Sequence, residues 1–132
     1  MISVFISWRI LWHQRMAAPM AEEHDEVYIH WPEPDDDGRV EVALVNEALG
    51  LGLAFRYPHA ELPVLSQWQC FTKGTYVTGV EPGNCTPLGR AWNRKHDTME
   101  HIGPGEVREF HMEITVLDGP QEIAQAQARI GA

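Results

Sequence analysis

Residues 64–81, VLSQWQCFTKGTYVTGVE, decide how the rest of the chain folds. Two runs rich in β-branched, aromatic and small side chains, 64–72 and 75–81, flank Lys73-Gly74. Such side chains favour extended backbone, and a glycine between two such runs is a hairpin signal. The pattern therefore predicts two antiparallel strands joined tightly. Working outward, Val40, Val42 and Leu44 alternate with Glu41 and Ala43, the period of a half-buried strand. Residues 51–57, LGLAFRY, alternate again before Pro58 closes the run. Residues 107–117, VREFHMEITVL, alternate behind the turn signal Pro104-Gly105. Only residues 120–130 read as helix, with Pro120 at an early position, Ala and Gln dominant, and Gly131 as the stop. The expected fold is mainly β, an antiparallel sandwich or part of one, with a short C-terminal helix.

The 132 residues make one domain at most. With 44% hydrophobic residues, 5 Trp, 4 Phe and 3 Tyr, the chain has ample apolar surface to bury and is not a disordered segment. No uninterrupted apolar run approaches the ~20 residues of a spanning helix. The chain carries 19 acids against 10 bases, a net charge of −9, with no basic stripe. Nucleic acid and anionic membrane surfaces are thereby disfavoured as partners. Glu22 to Asp37 holds a dense share of the acids and no Lys or Arg, and reads as a solvated surface. Within it Asp35-Asp36-Asp37-Gly38 lacks the alternating ligands and distal Glu of a calcium loop and reads as a turn. Cys70 and Cys85 form neither a disulfide framework nor a zinc signature, and are expected to be reduced, mostly buried thiols in the cytoplasm.

Residues 1–20 differ from the body of the chain: they carry Arg9 and Arg15 and no acid, while MAAPMAEEHDE resembles a second beginning. They lack the positive start and small-residue cleavage site of a secretory signal. The expected organisation is an N-terminal extension (1–20) contributing little to the core, a β-sandwich portion (21–118) and a helical tail (119–132).

Glu81 is the most informative candidate for chemistry. A carboxylate at the end of an apolar strand, followed by Pro82 and Gly83, is held rigidly, and partial burial would fit it for general-base work. The alternative is a strand-end glutamate bonded to loop amides. His96, His101, Glu106 and His111 faintly suggest a metal site of cupin type, but the defining HxH pair is missing and chance spacing accounts for them better. Asn84-Cys85-Thr86 fits the glycosylation pattern, which carries no weight without export. No phosphate-cradling or dinucleotide motif occurs.

The segments GTYVTGVEPGNC (74–85) with Gly89-Arg90 after it and Gln67-Trp68-Gln69 before it, and IGPGEVREFHMEITVL (102–117), resemble the C-terminal part of an aldose 1-epimerase-like protein. That family belongs to the galactose mutarotase-like β-supersandwich proteins, in the branch known only as a domain of unknown function. The resemblance spans roughly residues 23–117, with HDEVYIHW and RVEVALVNEALGLGLAFRY in the expected order. In mutarotases a glutamate late in the chain takes the proton from the anomeric hydroxyl while a histidine from the earlier half protonates the ring oxygen.

The resemblance implies that Glu81 is the catalytic base. Gln69, Asn84 and Arg90 become hydroxyl or anionic-group ligands, and Trp68 a wall for the sugar's apolar face. It implies a monosaccharide or sugar derivative as ligand and no cofactor, since mutarotation needs only acid and base. The chain is considerably shorter than a complete mutarotase-like domain, and the half that supplies the acid histidine has no counterpart in it. His24 and His30 lie in no motif that marks an acid. The chain is thus expected to be a truncated C-terminal portion, acting as an isomerase or, alternatively, as a non-catalytic carbohydrate-binding sandwich. Half a sandwich leaves open edges, so a homo-oligomer is expected.

Overall fold

In a computed structural model the described residues are 2–6 and 15–131. Among them the elements are β1 (Ile2–Ile6), β2 (Asp25–His30), β3 (Arg39–Asn46), β4 (Leu51–Pro58), β5 (Val64–Cys70), β6 (Val77–Gly83), α1 (Arg90–Lys95), β7 (Glu113–Asp118) and α2 (Pro120–Ile130). All strand pairs are antiparallel and form two sheets, ordered β1-β3-β4-β7 and β2-β5-β6. The fold is therefore mainly β, two antiparallel sheets with a short C-terminal helix.

The alternation along β3 and β4 divides their side chains between two cores. Val40, Val42 and Tyr57, with Val4 of β1, meet Leu65 of the three-stranded sheet, and Met16, Leu62 and Phe71 fill in from the connections. Ala43, Val45, Ala54 and Leu117 point the other way and receive Ile123, Ala126 and Ile130 of α2. Each fully buried Val or Leu contributes about 1.5–3 kcal/mol of apolar transfer. Asp35-Asp36-Asp37-Gly38 is a turn as expected. The Asp35 carboxylate accepts from the Asp37 and Arg39 amides at 3.0 and 2.8 Å, and Gly38 takes φ 74°. The Arg39 backbone bond, assisted by the Arg56 guanidinium, holds Asp35 below its ordinary pKa.

Four expectations need correction. The strand expected over 107–117 begins only at Glu113, whose rung with Arg56 is the last; β4 ends two residues further on, at Pro58, and so has no residue to set opposite 107–110. Residues 107–112 instead run exposed, anchored where the Glu61 carboxylate accepts from the His111 amide (2.6 Å) and meets its ring Nδ1 (2.9 Å). Helix α1 is additional; its six residues are too few to show a periodic apolar face. The described part of the first twenty residues does enter the core. β1 pairs with β3, Val4 is 1% exposed, and Met16 and Met20 pack into the same cluster, because β3 needs a second neighbour and Val42 a covering layer. Trp8 and Trp12 lie outside the described residues. Finally, Cys70 is buried but Cys85 is exposed, sitting in the loop after β6; both are free thiols. α2 packs on the sandwich through its own small core. Among the described residues no helix is long and apolar enough to cross a membrane.

Strand β7 lies at the end of its sheet with Ile114 and Val116 each 62% exposed on one face. Pairing β7 with a second copy about Thr115 would set Ile114 opposite Val116 and Glu113 opposite Leu117, with no like charges facing. Sedimentation should therefore detect a dimer that strengthens with salt, which screens the net −9 charge, and Val116→Lys should return a monomer. At the other end of β4, the bonds from His111 hold Glu61 below its ordinary value of 4.5. A depressed carboxylate stabilises the fold above its unfolded value and ceases to do so as pH falls through the folded one. Glu61→Gln should thus lower the melting temperature at neutral pH, and the difference should vanish on acidification below pH 4.5.

Candidate functional site

The two faces of the three-stranded sheet carry different side chains. Paired residues share a face, so register alone sorts the side chains. One face carries the rungs His30–Leu65–Pro82, Tyr28–Gln67–Val80 and Glu26–Gln69–Thr78. Leu65, Gln67 and Gln69 on it are 0%, 1% and 2% exposed, so this face is turned to the other sheet. Tyr28 donates its hydroxyl to Glu26 here, and burial together with that carboxylate pushes its pKa up to about 12. The opposite face carries Ile29–Ser66–Glu81, Val27–Trp68–Gly79 and Asp25–Cys70–Val77. On it Glu81, Val27 and Val77 of the flanking strands are exposed, while Ser66 and Cys70 of the central β5 are buried.

Glu81 is held open rather than sequestered. Its carboxylate makes no hydrogen bond or ion pair with any described residue, so the loop-amide alternative is not realised. It lies over Gly79, where a Cβ would come 2.3 Å from Oε1. The absence of a side chain at Gly79 is what lets the carboxylate lean along the strand toward the rung of Trp68. Trp68 in turn is fixed: its indole Nε1 donates to Asp25 on the same face, and its carbonyl accepts from the Thr78 hydroxyl at 2.9 Å. The result, among the described residues, is a free, exposed carboxylate beside a tethered, half-buried aromatic plane on one face of the sheet.

The other expected site residues fall elsewhere. Gln69 is on the inward face, separated from Glu81 by the sheet itself. Asn84 leaves the end of β6 and donates to Glu100 at 3.1 Å, which also receives Arg108. Arg90 is exposed at the start of α1. Asn84 lines a groove of about 330 Å³ at the sheet end, together with Trp31, Val64, Trp92, Asp97 and Glu100. The four residues weighed as a metal site do not converge: His96 stacks on Trp92 at 3.9 Å and His111 is bonded to Glu61. Among the described residues no group of His, Cys, Asp and Glu is arranged to hold a metal ion.

Sequence reading missed the residue that organises this groove. Asn93 is 2% exposed. Its Oδ1 accepts from the Thr86 amide and hydroxyl and from the Thr98 hydroxyl (3.3, 3.0 and 2.8 Å). Its Nδ2 donates to the Thr86 and Gly89 carbonyls (3.0 and 2.9 Å). One amide thus ties the loop after β6, helix α1 and the return segment together. An interior asparagine in a six-residue helix was its only signal. Asn93→Ala leaves these buried donors and acceptors unpaired, at a cost of ~1–3 kcal/mol per stranded group. It should lower the melting temperature by several degrees and broaden the NMR signals of residues 84–100, while those of β3 and β4 stay in place.

Comparison with known proteins places this geometry in context. Residues 10–116 match the family described as Domain of unknown function (DUF4432). No curated protein matches the chain. Among solved structures, the fold is similar to the crystal structure of a "putative aldose 1-epimerase" from Klebsiella pneumoniae subsp. pneumoniae MGH 78578, with a TM-score of 0.82 and 27% identity. The similarity covers 89% of this chain and 31% of that one, so this chain spans about a third of the Klebsiella protein's length. The architecture is that of an aldose 1-epimerase-like fold, and the chain belongs to the DUF4432 family.

Proposed function

We propose that this chain is the sugar-binding C-terminal portion of a mutarotase-like protein, with Glu81 as its general base. The observation that carries the reading is the shared face of Glu81 and Trp68: a carboxylate with no partner among the described residues beside a fixed indole, in a fold similar to that of the Klebsiella protein. The indole suits the apolar face of a pyranose, and the carboxylate suits its anomeric hydroxyl. Glu81 takes the proton of that hydroxyl as the bond between the anomeric carbon and the ring oxygen breaks. Rotation and reclosure, with the proton returned, yield the other anomer.

The ring oxygen needs a proton donor. His30 belongs to the inward rung with Leu65, and His24 stacks on the buried Phe71 at 5.3 Å, so neither serves the face of Glu81. On this reading the donor comes from neither of them. That gap favours, as a second reading, a carbohydrate-binding module without turnover. We assign the protein to the cytoplasm, where free thiols such as Cys70 and Cys85 persist.

The test is anomer interconversion of glucose and galactose, followed by polarimetry alongside binding by calorimetry. Glu81→Gln should retain binding and slow interconversion by ~10²-fold or more. Gly79→Ala, which must displace the carboxylate, should behave similarly. Binding with no rate above buffer in the wild type would establish the module reading. Absence of both would overturn the proposal.

A further inference from the structure

The groove lined by Trp31 and Trp92 is not a separate feature of the surface but a continuation of the face that bears Glu81. Ser66–Glu81 and Val64–Gly83 are successive rungs of β5 and β6 on the same side, about 7 Å apart. Val64 is 5% exposed, and together with residues of the loop over 84–100 it lines the groove of about 330 Å³. Trp31, the residue that follows β2, stands in this groove 64% exposed. Trp92 presents a second indole, backed on one side by His96, whose Nδ1 meets the Trp92 carbonyl at 2.8 Å. Along β5, from Trp68 to Val64, the lined face runs ~13 Å, too long for one sugar ring.

The lining specifies the chemistry. Two indoles supply apolar planes, while Asn84, Asp97 and Glu100 supply a hydrogen-bonding rim rich in acceptors. Asp97 occupies the residue after the α1 C-cap with φ 54°, the left-handed turn that brings 97–100 back along the groove. The rim is anchored to the buried Asn93, so its geometry exists before any ligand arrives. Rim acceptors over aromatic planes fit a ring bearing many hydroxyls, and a free carboxylate at Asp97 disfavours an anionic group there.

We infer that the ligand over Glu81 extends into the Trp31–Trp92 groove, so that the chain takes a sugar carrying a second ring, with the reducing ring at Glu81 and the attached ring between the two indoles. This rests on the proposed sugar-binding face. It goes further in naming a disaccharide or longer glycan, rather than a free monosaccharide, as the favoured class.

Glucose and lactose share the same reducing ring and differ by the attached one, so calorimetry on the full chain with both isolates the groove. Lactose should bind at least tenfold more tightly than glucose. Trp31→Ala should bring lactose down to the affinity of glucose and leave glucose unchanged, with the melting temperature unaltered because Trp31 is exposed. Trp31→Phe should recover most of the difference. Trp68→Ala should weaken both sugars alike. Equal affinities for the two sugars, or a Trp31→Ala effect that is the same on both, would overturn this inference while leaving the Glu81 face intact. Absence of binding by either would overturn the sugar-binding face and the inference together.

Discussion

The antiparallel register of β5 on β6, with Ser66 opposite Glu81, is the constraint on which the remainder depends. Because side chains alternate with period two, that pairing determines which side chains of residues 64–83 face the other sheet and which face away from it. Leu65 enters the shared core and Gln67 and Gln69 are buried beside it. Glu81, Gly79 and Trp68 are thereby turned outward as a set. A slip of one residue would drive the Glu81 carboxylate toward the other sheet, where an unpaired charge costs several kcal/mol. Burial of Leu65 therefore positions Glu81 without touching it.

Around that register the molecule uses two kinds of support. The four-stranded sheet is stabilised by apolar burial on both faces, toward Leu65 and Phe71 on one side and toward α2 on the other. The loop over residues 84–100 has little apolar burial and is held instead by the amide of Asn93, which is satisfied at both its oxygen and its nitrogen. The division suits a binding surface: a packed frame holds the strands, and a hydrogen-bonded loop shapes the wall without filling the groove with side chains.

The strand pattern was legible because alternation is a local property. Val40, Val42 and Leu44 alternate in the sequence and along β3 in the fold, and the Lys73-Gly74 connection does join paired strands. The alternation of residues 107–112 was equally clear and yet forms no strand, because β4 stops at Pro58 and leaves 107–110 without a neighbour, while Glu61 holds His111. β1 was hidden for the converse reason. An apolar stretch interrupted by Arg9 carries no distinctive signal by itself and becomes structural only once β3 offers an unpaired edge. Asn93 and the groove escaped notice because their partners come from Gly89, Thr86 and Thr98, contacts that no periodicity announces.

Glu81 and Trp68 could be singled out from the chain, since their residue types and their place on flanking strands are written there. Gln69 was grouped with them on proximity in sequence, and pairing sends it to the other side of the sheet. By itself the sequence determined the β class, the hairpin, the C-terminal helix and the acidic surface, all of which arise from local spacing and composition. Only the tertiary structure decided which face each strand shows to water, that β1 belongs to the core, and that Trp31 and Trp92 flank one groove. Those outcomes depend on which strand edges and apolar faces meet, a matter of long-range burial that local spacing does not encode.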